Sequence, residues 1–140
     1  MMNKPYNNGL WDWDADLFHP DICGFTYLII APNGRWYIGR KVTRTKHGKM
    51  AGYRNYKSSC KPLLVDIGKL GIENFKFIVL GVWEHRNYLW YQEVKEMMAS
   101  DALIDPNSYN NNAPSIYVPP KNTKGRRRDE SVIDLLRKHT

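Results

Sequence analysis

A β-hairpin pattern is the feature of this sequence that most constrains its fold. Residues 24–31 are rich in aromatic and β-branched types, which favour a buried strand. Pro32-Asn33-Gly34 follows as a tight turn, because Asn-Gly tolerates the positive φ that a two-residue hairpin loop requires. Residues 35–41 then supply the returning strand. The pattern predicts two antiparallel strands joined by this turn.

The segments after the hairpin alternate between helix and strand signals. Residues 62–70 fit a short helix with Pro in its first turn, and Gly71 is a suitable C-cap. Residues 74–83 alternate between apolar and other side chains, which predicts a third strand. Residues 84–99 are helical in composition. The predicted order is therefore strand, strand, helix, strand, helix.

Both ends of the chain differ from this central part. Residues 1–22 are interpreted as an N-terminal arm, whose Trp11 and Trp13 would dock on the main body or form a partner-binding motif. Residues 113–140 are interpreted as a Pro-containing linker followed by a short basic helix over residues 129–139. The central domain is thus predicted to span residues 23–112.

The positive charge is concentrated in one stretch. The chain of 140 residues has a net charge of +7, yet residues 22–65 hold nine Lys and Arg residues and no acid. Tyrosines and a tryptophan are interleaved with these bases. A stretch without carboxylates suits a polyanion, and such mixing is common where proteins grip nucleic acid. We therefore expect nucleic-acid contact, with a solvated basic surface as the alternative.

The cellular location of the protein and the redox state of its cysteines are inferred from features that the sequence lacks. The longest apolar runs are about seven residues, far short of the roughly 20 that a membrane helix needs. The first 16 residues carry acids and lack an apolar core, so we predict no signal peptide. Cys23 and Cys60 have no metal-ligand spacing, and we expect reduced thiols in a cytoplasmic protein.

Two tyrosines and a distant glutamate are the candidate chemical groups. Tyr27 and Tyr37 lie on the two strands of the predicted hairpin, which can bring both onto one face. Gly39 allows a close backbone approach just before the bases Arg40 and Lys41. Glu93 lies on the predicted helix after the third strand. Taken alone, each tyrosine would more often be a core residue, and Glu93 or Glu96 a solvated helix residue.

As an ordered set, these residues resemble the GIY-YIG nucleases. Phe25-Thr26-Tyr27 and Tyr37-Ile38-Gly39 are similar to the two signature triplets, although the first keeps only its tyrosine. Residues 53–59 and 71–75 resemble segments of the phage-type branch, and Tyr109-Asn110 resembles its closing pair. The resemblance covers roughly residues 24–112.

The resemblance implies an α+β fold (α/β in the broad sense) with a three-stranded antiparallel sheet flanked by helices. It also implies a phosphodiesterase site in which Tyr27 and Tyr37 are the active-site tyrosines. Glu93 would be the ligand of one Mg²⁺ (or Mn²⁺) ion, and Asn110 a supporting residue. We assign Tyr27 as the general base and Tyr37 as the residue that orients the water, although the two roles could be exchanged.

The cations of such a site are harder to assign. The usual spacing of the family's arginine reaches His47, so Arg44 and Arg54 are the nearest candidates, and Arg54 is favoured. Lys41 is a second cation, expected to lower the pKa of a tyrosine beside it. The wider set of expected DNA contacts is basic or hydroxyl-bearing: Arg40, Arg44, Lys46, His47, Lys49, Lys57, Ser58, Ser59, Arg126, Arg127 and Arg128.

The sequence thus predicts a metal-dependent DNA endonuclease, either homing-like or genome-degrading. A structure-specific or repair nuclease is one alternative, and a non-catalytic nucleic-acid-binding module on the same fold is another. An adaptor that acts through the Trp-Asp arm is a third. RNA is not excluded as a substrate, because phosphate contacts do not distinguish it from DNA. A compact single site would need a homodimer, or two visits, to cut both strands.

Overall fold

The computed structural model describes residues 10–13, 19–44, 56–111 and 122–139. In chain order the elements are strand β1 (Gly24–Ile30), strand β2 (Trp36–Val42), helix α1 (Lys61–Leu70), a 3₁₀ turn (Ile72–Asn74), strand β3 (Lys76–Trp83), helix α2 (Arg86–Ala99), strand β4 (Gly125–Arg127) and helix α3 (Val132–His139). The predicted order of strand, strand, helix, strand, helix is confirmed over residues 24–99.

One antiparallel sheet in the order β2-β1-β3-β4 forms the centre of the molecule. The hairpin has the predicted turn, with Gly34 at a φ of 89°, and its register places Tyr27 opposite Gly39. Strand β2 lies at an edge, so side chains from both faces of the sheet can meet around it.

The sheet has four strands, and the expectation of three is wrong. The fourth strand, β4, comes from the segment interpreted as a Pro-containing linker and basic helix, and it pairs with the end of β3. It is only three residues long and reads Gly-Arg-Arg. A strand of this length has no apolar alternation to reveal it, and pairing with β3 creates it.

Two hydrophobic clusters cover the two faces of the sheet, as the alternation of strand side chains requires. On one face Phe25, Tyr27 and Ile29 of β1 pack with Trp11 and with Leu63 of α1. On the other, Leu28 and Ile30 pack with residues of α2 and α3 such as Met97 and Leu135.

The described part of the N-terminal segment is built into the first cluster. Trp11 is 3% exposed and makes ring contacts with Phe25, Tyr27 and Phe77. Trp13 is also buried, and the guanidinium groups of Arg126 and Arg128 lie over its ring. Both tryptophans therefore dock on the main body, as one of the two interpretations predicts. None of the helices in the described ranges is sufficiently long and apolar to span a bilayer.

Candidate active site

A polar pocket of about 360 Å³ opens at the β2 edge, between α1 and α2. Its lining includes Tyr37 and Arg40 from β2, Glu93 from α2, and Asn110 from the loop after α2. Alternation along β2 sends Tyr37 toward the face that contains Trp11 and Arg40 toward the face covered by α2. The sheet edge is thus what brings Tyr37 and Glu93 to one cavity.

Glu93 is held in this pocket by an ion pair with Arg40. The carboxylate belongs to a residue that is 4% exposed, and its Oε1 accepts a hydrogen bond from Arg40 Nη1 at 2.5 Å. The guanidinium group of Arg40 also stacks over the Trp90 ring, 4.7 Å from its centroid. Burial raises the pKa of Glu93 above its usual value, and the charge and hydrogen bond of Arg40 offset part of that rise.

The cation beside Glu93 is therefore Arg40, which the sequence analysis placed only among the expected DNA contacts. Arg54, favoured there, lies outside the described residues, as do Lys46, His47 and Lys49. Arg40 directly follows the Tyr37-Ile38-Gly39 triplet, and alternation places it on the α2 face. That position is the signal from which its role could have been inferred.

The two candidate tyrosines lie side by side, but only one of them lines the pocket. Their ring centroids are 6.1 Å apart. Tyr27 is 1% exposed and packed in the core, whereas Tyr37 is partly exposed in the pocket. Gly39 makes this arrangement possible, because a Cβ there would collide with the Tyr27 hydroxyl group.

Burial raises the pKa of both tyrosines, whereas a nearby cation was expected to lower it. It is the largest cause that raises the pKa of Tyr37 to about 12 and the pKa of Tyr27 well above 10. Lys41 was expected to counter this, but its Nζ lies over the ring of a third tyrosine, Tyr56, 4.5 Å from the centroid. Both candidate tyrosines are therefore phenols, not phenolates, at neutral pH.

Asn110 fixes the backbone of β2 beside Tyr37. Its side chain is buried and pairs with both backbone groups of Ile38: Oδ1 accepts from Ile38 N at 2.9 Å, and Nδ2 donates to Ile38 O at 2.8 Å. This contact continues the hydrogen bonding of the sheet beyond its edge strand. Asn110 thus supports the site through the backbone, and both its polar side-chain atoms are used in doing so.

Comparison with known proteins identifies the family of the chain. Residues 11–117 match the family model described as "Putative endonuclease segE, GIY-YIG domain". The chain belongs to the GIY-YIG family of endonuclease domains. No curated protein and no solved structure gave a significant match. The matched range includes Trp11 and every pocket residue named above, and it ends before β4 and α3.

The pocket of this GIY-YIG domain suits a metal held by a single carboxylate. Within the described residues, no group of three or more His, Cys, Asp or Glu side chains could hold an ion. Mg²⁺ is commonly bound through one or two carboxylates, with water and substrate phosphate as its other ligands. Glu93 offers such a carboxylate in a cavity with room for water.

The other predicted DNA contacts within the described residues differ in their surroundings. Lys57 and Ser59 are exposed, and Arg44 is partly buried. Ser58 is 7% exposed and lies against the two candidate tyrosines. Lys57 is accessible to a phosphate backbone, and its contact with DNA stays a prediction.

The three consecutive arginines at 126–128, which follow the GIY-YIG match, have partners within the protein. Arg126 lies over the Trp13 ring. Arg127 forms a two-point ion pair with Glu96 of α2 and also donates to the carbonyl oxygens of Arg128 and Glu130. Arg128 donates to the carbonyl oxygens of Val79 and Asp12. Their contact with DNA stays a prediction, because the structure shows only these internal contacts.

The prediction for Glu96 is wrong. It is 7% exposed and ion-paired with Arg127, not solvated. Sequence reasoning missed the pair because its members are 31 residues apart and β4 had not been predicted.

Proposed function

We propose that this GIY-YIG domain is a metal-dependent endonuclease that hydrolyses DNA phosphodiester bonds in the pocket at the β2 edge. One observation carries the proposal: the buried carboxylate of Glu93 faces a polar cavity together with Arg40 and Tyr37. A buried ion pair is costly to desolvate and contributes little net stability. Its position in a cleft, with a perturbed carboxylate pKa, is typical of a functional site.

Each pocket residue has a role that its surroundings support. Arg40 can hold the non-bridging phosphate oxygens, because a guanidinium group presents paired donors to such a group. Tyr37, protonated and partly exposed, can donate a hydrogen bond to a phosphate oxygen or orient the attacking water. Tyr27, buried behind it, would act through Tyr37. This reverses the emphasis of the sequence analysis, which favoured Tyr27 as the general base.

The implied metal would be held by Glu93. A bound Mg²⁺ ion would supply positive charge that stabilises the transition state and lowers the pKa of groups beside it. Tyr37 can act as a base only as the phenolate, which a pKa of about 12 disfavours at neutral pH and which positive charge nearby would favour. Asn110 would keep Tyr37 in register by pairing with the adjacent Ile38 backbone.

The charge pattern supports DNA as the substrate. The pocket is lined by the cations Arg40 and Lys61, and exposed Lys57 lies in the segment that precedes α1. These residues belong to the stretch of nine bases without an acid. Because phosphate contacts dominate nucleic-acid affinity, such a surface suits duplex binding that weakens as salt increases. A homing-like or genome-degrading role is our proposal for its use.

A plasmid-nicking assay tests the proposal. We would incubate supercoiled DNA with the wild type, with Glu93→Gln and with the matched control Glu73→Gln, each with Mg²⁺ and with EDTA. Glu73 is an exposed residue of the 3₁₀ turn. We expect cleavage by the wild type and Glu73→Gln only with Mg²⁺, and none by Glu93→Gln. The ratio of nicked to linear product would show whether one or both strands are cut.

Two results would contradict this function. Cleavage by Glu93→Gln at the wild-type rate would exclude the pocket as the active site. Salt-sensitive DNA binding without cleavage, across several plasmids and both Mg²⁺ and Mn²⁺, would favour the non-catalytic binding module instead.

A further inference from the structure

Ser58 combines a buried side chain with a disfavoured backbone conformation. It is 7% exposed, and its φ is 93°. In the described ranges, Ser58 and Asp101 are the two non-glycine residues with positive φ. L-residues other than glycine rarely adopt this conformation, and it persists where the surrounding structure requires it, often at functional sites.

The hydroxyl group of Ser58 lies among the site tyrosines. Its Oγ accepts a hydrogen bond from the Cys60 backbone N–H at 3.1 Å. The same side chain lies close enough to both Tyr27 and Tyr37 to lower the pKa of each as a hydrogen-bond partner, against the larger rise that burial causes. Tyr56 is a further hydrogen-bond partner of Tyr27. The ring centroids of Tyr27 and Tyr37 are 6.1 Å apart, and the Ser58 side chain interacts with both phenols.

The hydrogen-bonding capacity of a serine matches this environment. A hydroxyl group has one proton to donate and two lone pairs to accept. The Cys60 N–H occupies one lone pair, which leaves one donor and one acceptor for the two phenols. Ser58 can therefore donate to only one tyrosine oxygen at a time while accepting from the other.

We propose that Ser58 is a positioning residue of the nuclease site, whose hydroxyl bridges Tyr27 and Tyr37 and sets which phenol donates and which accepts toward the substrate. This rests on the proposed function. It is an alternative to the phosphate contact predicted for Ser58 from the sequence. The bridge links the buried Tyr27 to the pocket-lining Tyr37, which explains how a core residue can influence chemistry in the pocket.

The backbone strain makes a sharp test possible. Ser58→Gly removes the hydroxyl group and also relieves the positive φ, so the relief of strain offsets part of the cost of losing the acceptor of the Cys60 N–H. Ser58→Ala removes the hydroxyl group but keeps the strain. The matched control is Asp101→Gly, which relieves the same kind of strain at an exposed residue just after α2.

We expect kcat for DNA cleavage to fall by about 100-fold in both Ser58 variants, the effect of misplacing a reacting group by about an ångström. KM should stay at the wild-type value, and Asp101→Gly should cleave normally. If Ser58→Gly cleaves like the wild type, the hydroxyl group has no role and the inference is wrong. If KM rises while kcat holds, Ser58 binds phosphate instead.

A second measurement does not depend on activity. NMR resonances of the tyrosine Cζ atoms report the hydrogen bonding of each phenol. Ser58→Ala should shift the Tyr27 and Tyr37 resonances and leave those of Tyr88 and Tyr91, stacked on α2, in place. Unmoved Tyr27 and Tyr37 resonances would refute the bridge. A wild type that cleaves nothing would refute the proposed function alone, because the NMR result would still decide on the bridge.

Discussion

Replacing Arg127 with Met should destabilise the protein strongly, although the sequence places Arg127 between a predicted linker and a short basic helix. Its guanidinium group pairs at two points with Glu96, and the side chains of Arg127 and Glu96 are 27% and 9% exposed. Arg127→Met leaves the Glu96 carboxylate buried without its counter-ion. The same change also removes the donor to the carbonyl oxygens of Arg128 and Glu130.

The size of the effect follows from the burial of the pair. Removing one partner of a buried ion pair costs about 3–5 kcal/mol, and the partial exposure of Arg127 favours the lower end, about 3 kcal/mol. The unfolding entropy of a 140-residue chain is about 0.3 kcal/mol per kelvin, so Tm should fall by about 10 °C. Urea denaturation and a thermal scan would measure the two quantities.

A double variant separates this pair from a general packing loss. Arg127→Met combined with Glu96→Leu leaves no buried charge, so we expect a stability within about 1 kcal/mol of the wild type. Lys138→Met is the control, because Lys138 and its partner Glu130 are 62% and 38% exposed and should contribute less than about 0.5 kcal/mol. A loss of less than about 0.5 kcal/mol in Arg127→Met would refute the reasoning. So would a double variant whose loss of stability equals the sum of the losses in the two single variants.

Three further predictions follow from individual contacts. The free energy of unfolding should fall as pH rises from 10 to 12, because an unfolded tyrosine ionises near 10 while folded Tyr37 keeps its proton until about 12. Urea titrations across this range should show a shallower fall in Tyr37→Phe, and a fall equal to that of the wild type would contradict the assignment. Asn110→Ala should lower the free energy of unfolding by about 2 kcal/mol, because it leaves the buried N–H and C=O of Ile38 unpaired. A change below about 0.5 kcal/mol in urea denaturation would show that water replaces the amide. Trp11→Ala should lower the free energy of unfolding by about 3–5 kcal/mol, because the ring packs in a cluster with Phe25, Tyr27 and Phe77. An unchanged Tm in a thermal scan would mean that the N-terminal segment does not dock in solution.

Sequence patterns were sufficient where structure is local. The turn at Asn33-Gly34 depends on the conformational freedom of two adjacent residues, and the strand before it on a run of aromatic and β-branched residues. Helix α1 begins within one residue of its predicted start and ends before Gly71, as expected from a C-cap glycine. Such features depend on neighbours in the chain, which the sequence displays directly.

Contacts between distant residues were decided only by the assembled sheet. Arg40 and Glu93 are 53 residues apart and meet because β2 is an edge strand covered by α2. Strand β4 has no pattern of its own and exists because β3 offers it unpaired backbone groups. The sequence placed positive charge beside the tyrosines and so predicted a lowered pKa, but burial raises it.

The sequence by itself therefore determined the hairpin, the order of β1, β2, α1, β3 and α2, the two tyrosine-containing triplets and the concentration of positive charge. The tertiary structure alone decided that Arg40 is the partner of Glu93, that Tyr37 and not Tyr27 reaches the pocket, and that Ser58 lies close to both tyrosines. The physical reason is that periodicity and turn chemistry are properties of neighbouring residues. Burial and ion pairing are properties of the packed molecule, and they exist only once strands and helices distant in the chain have come together.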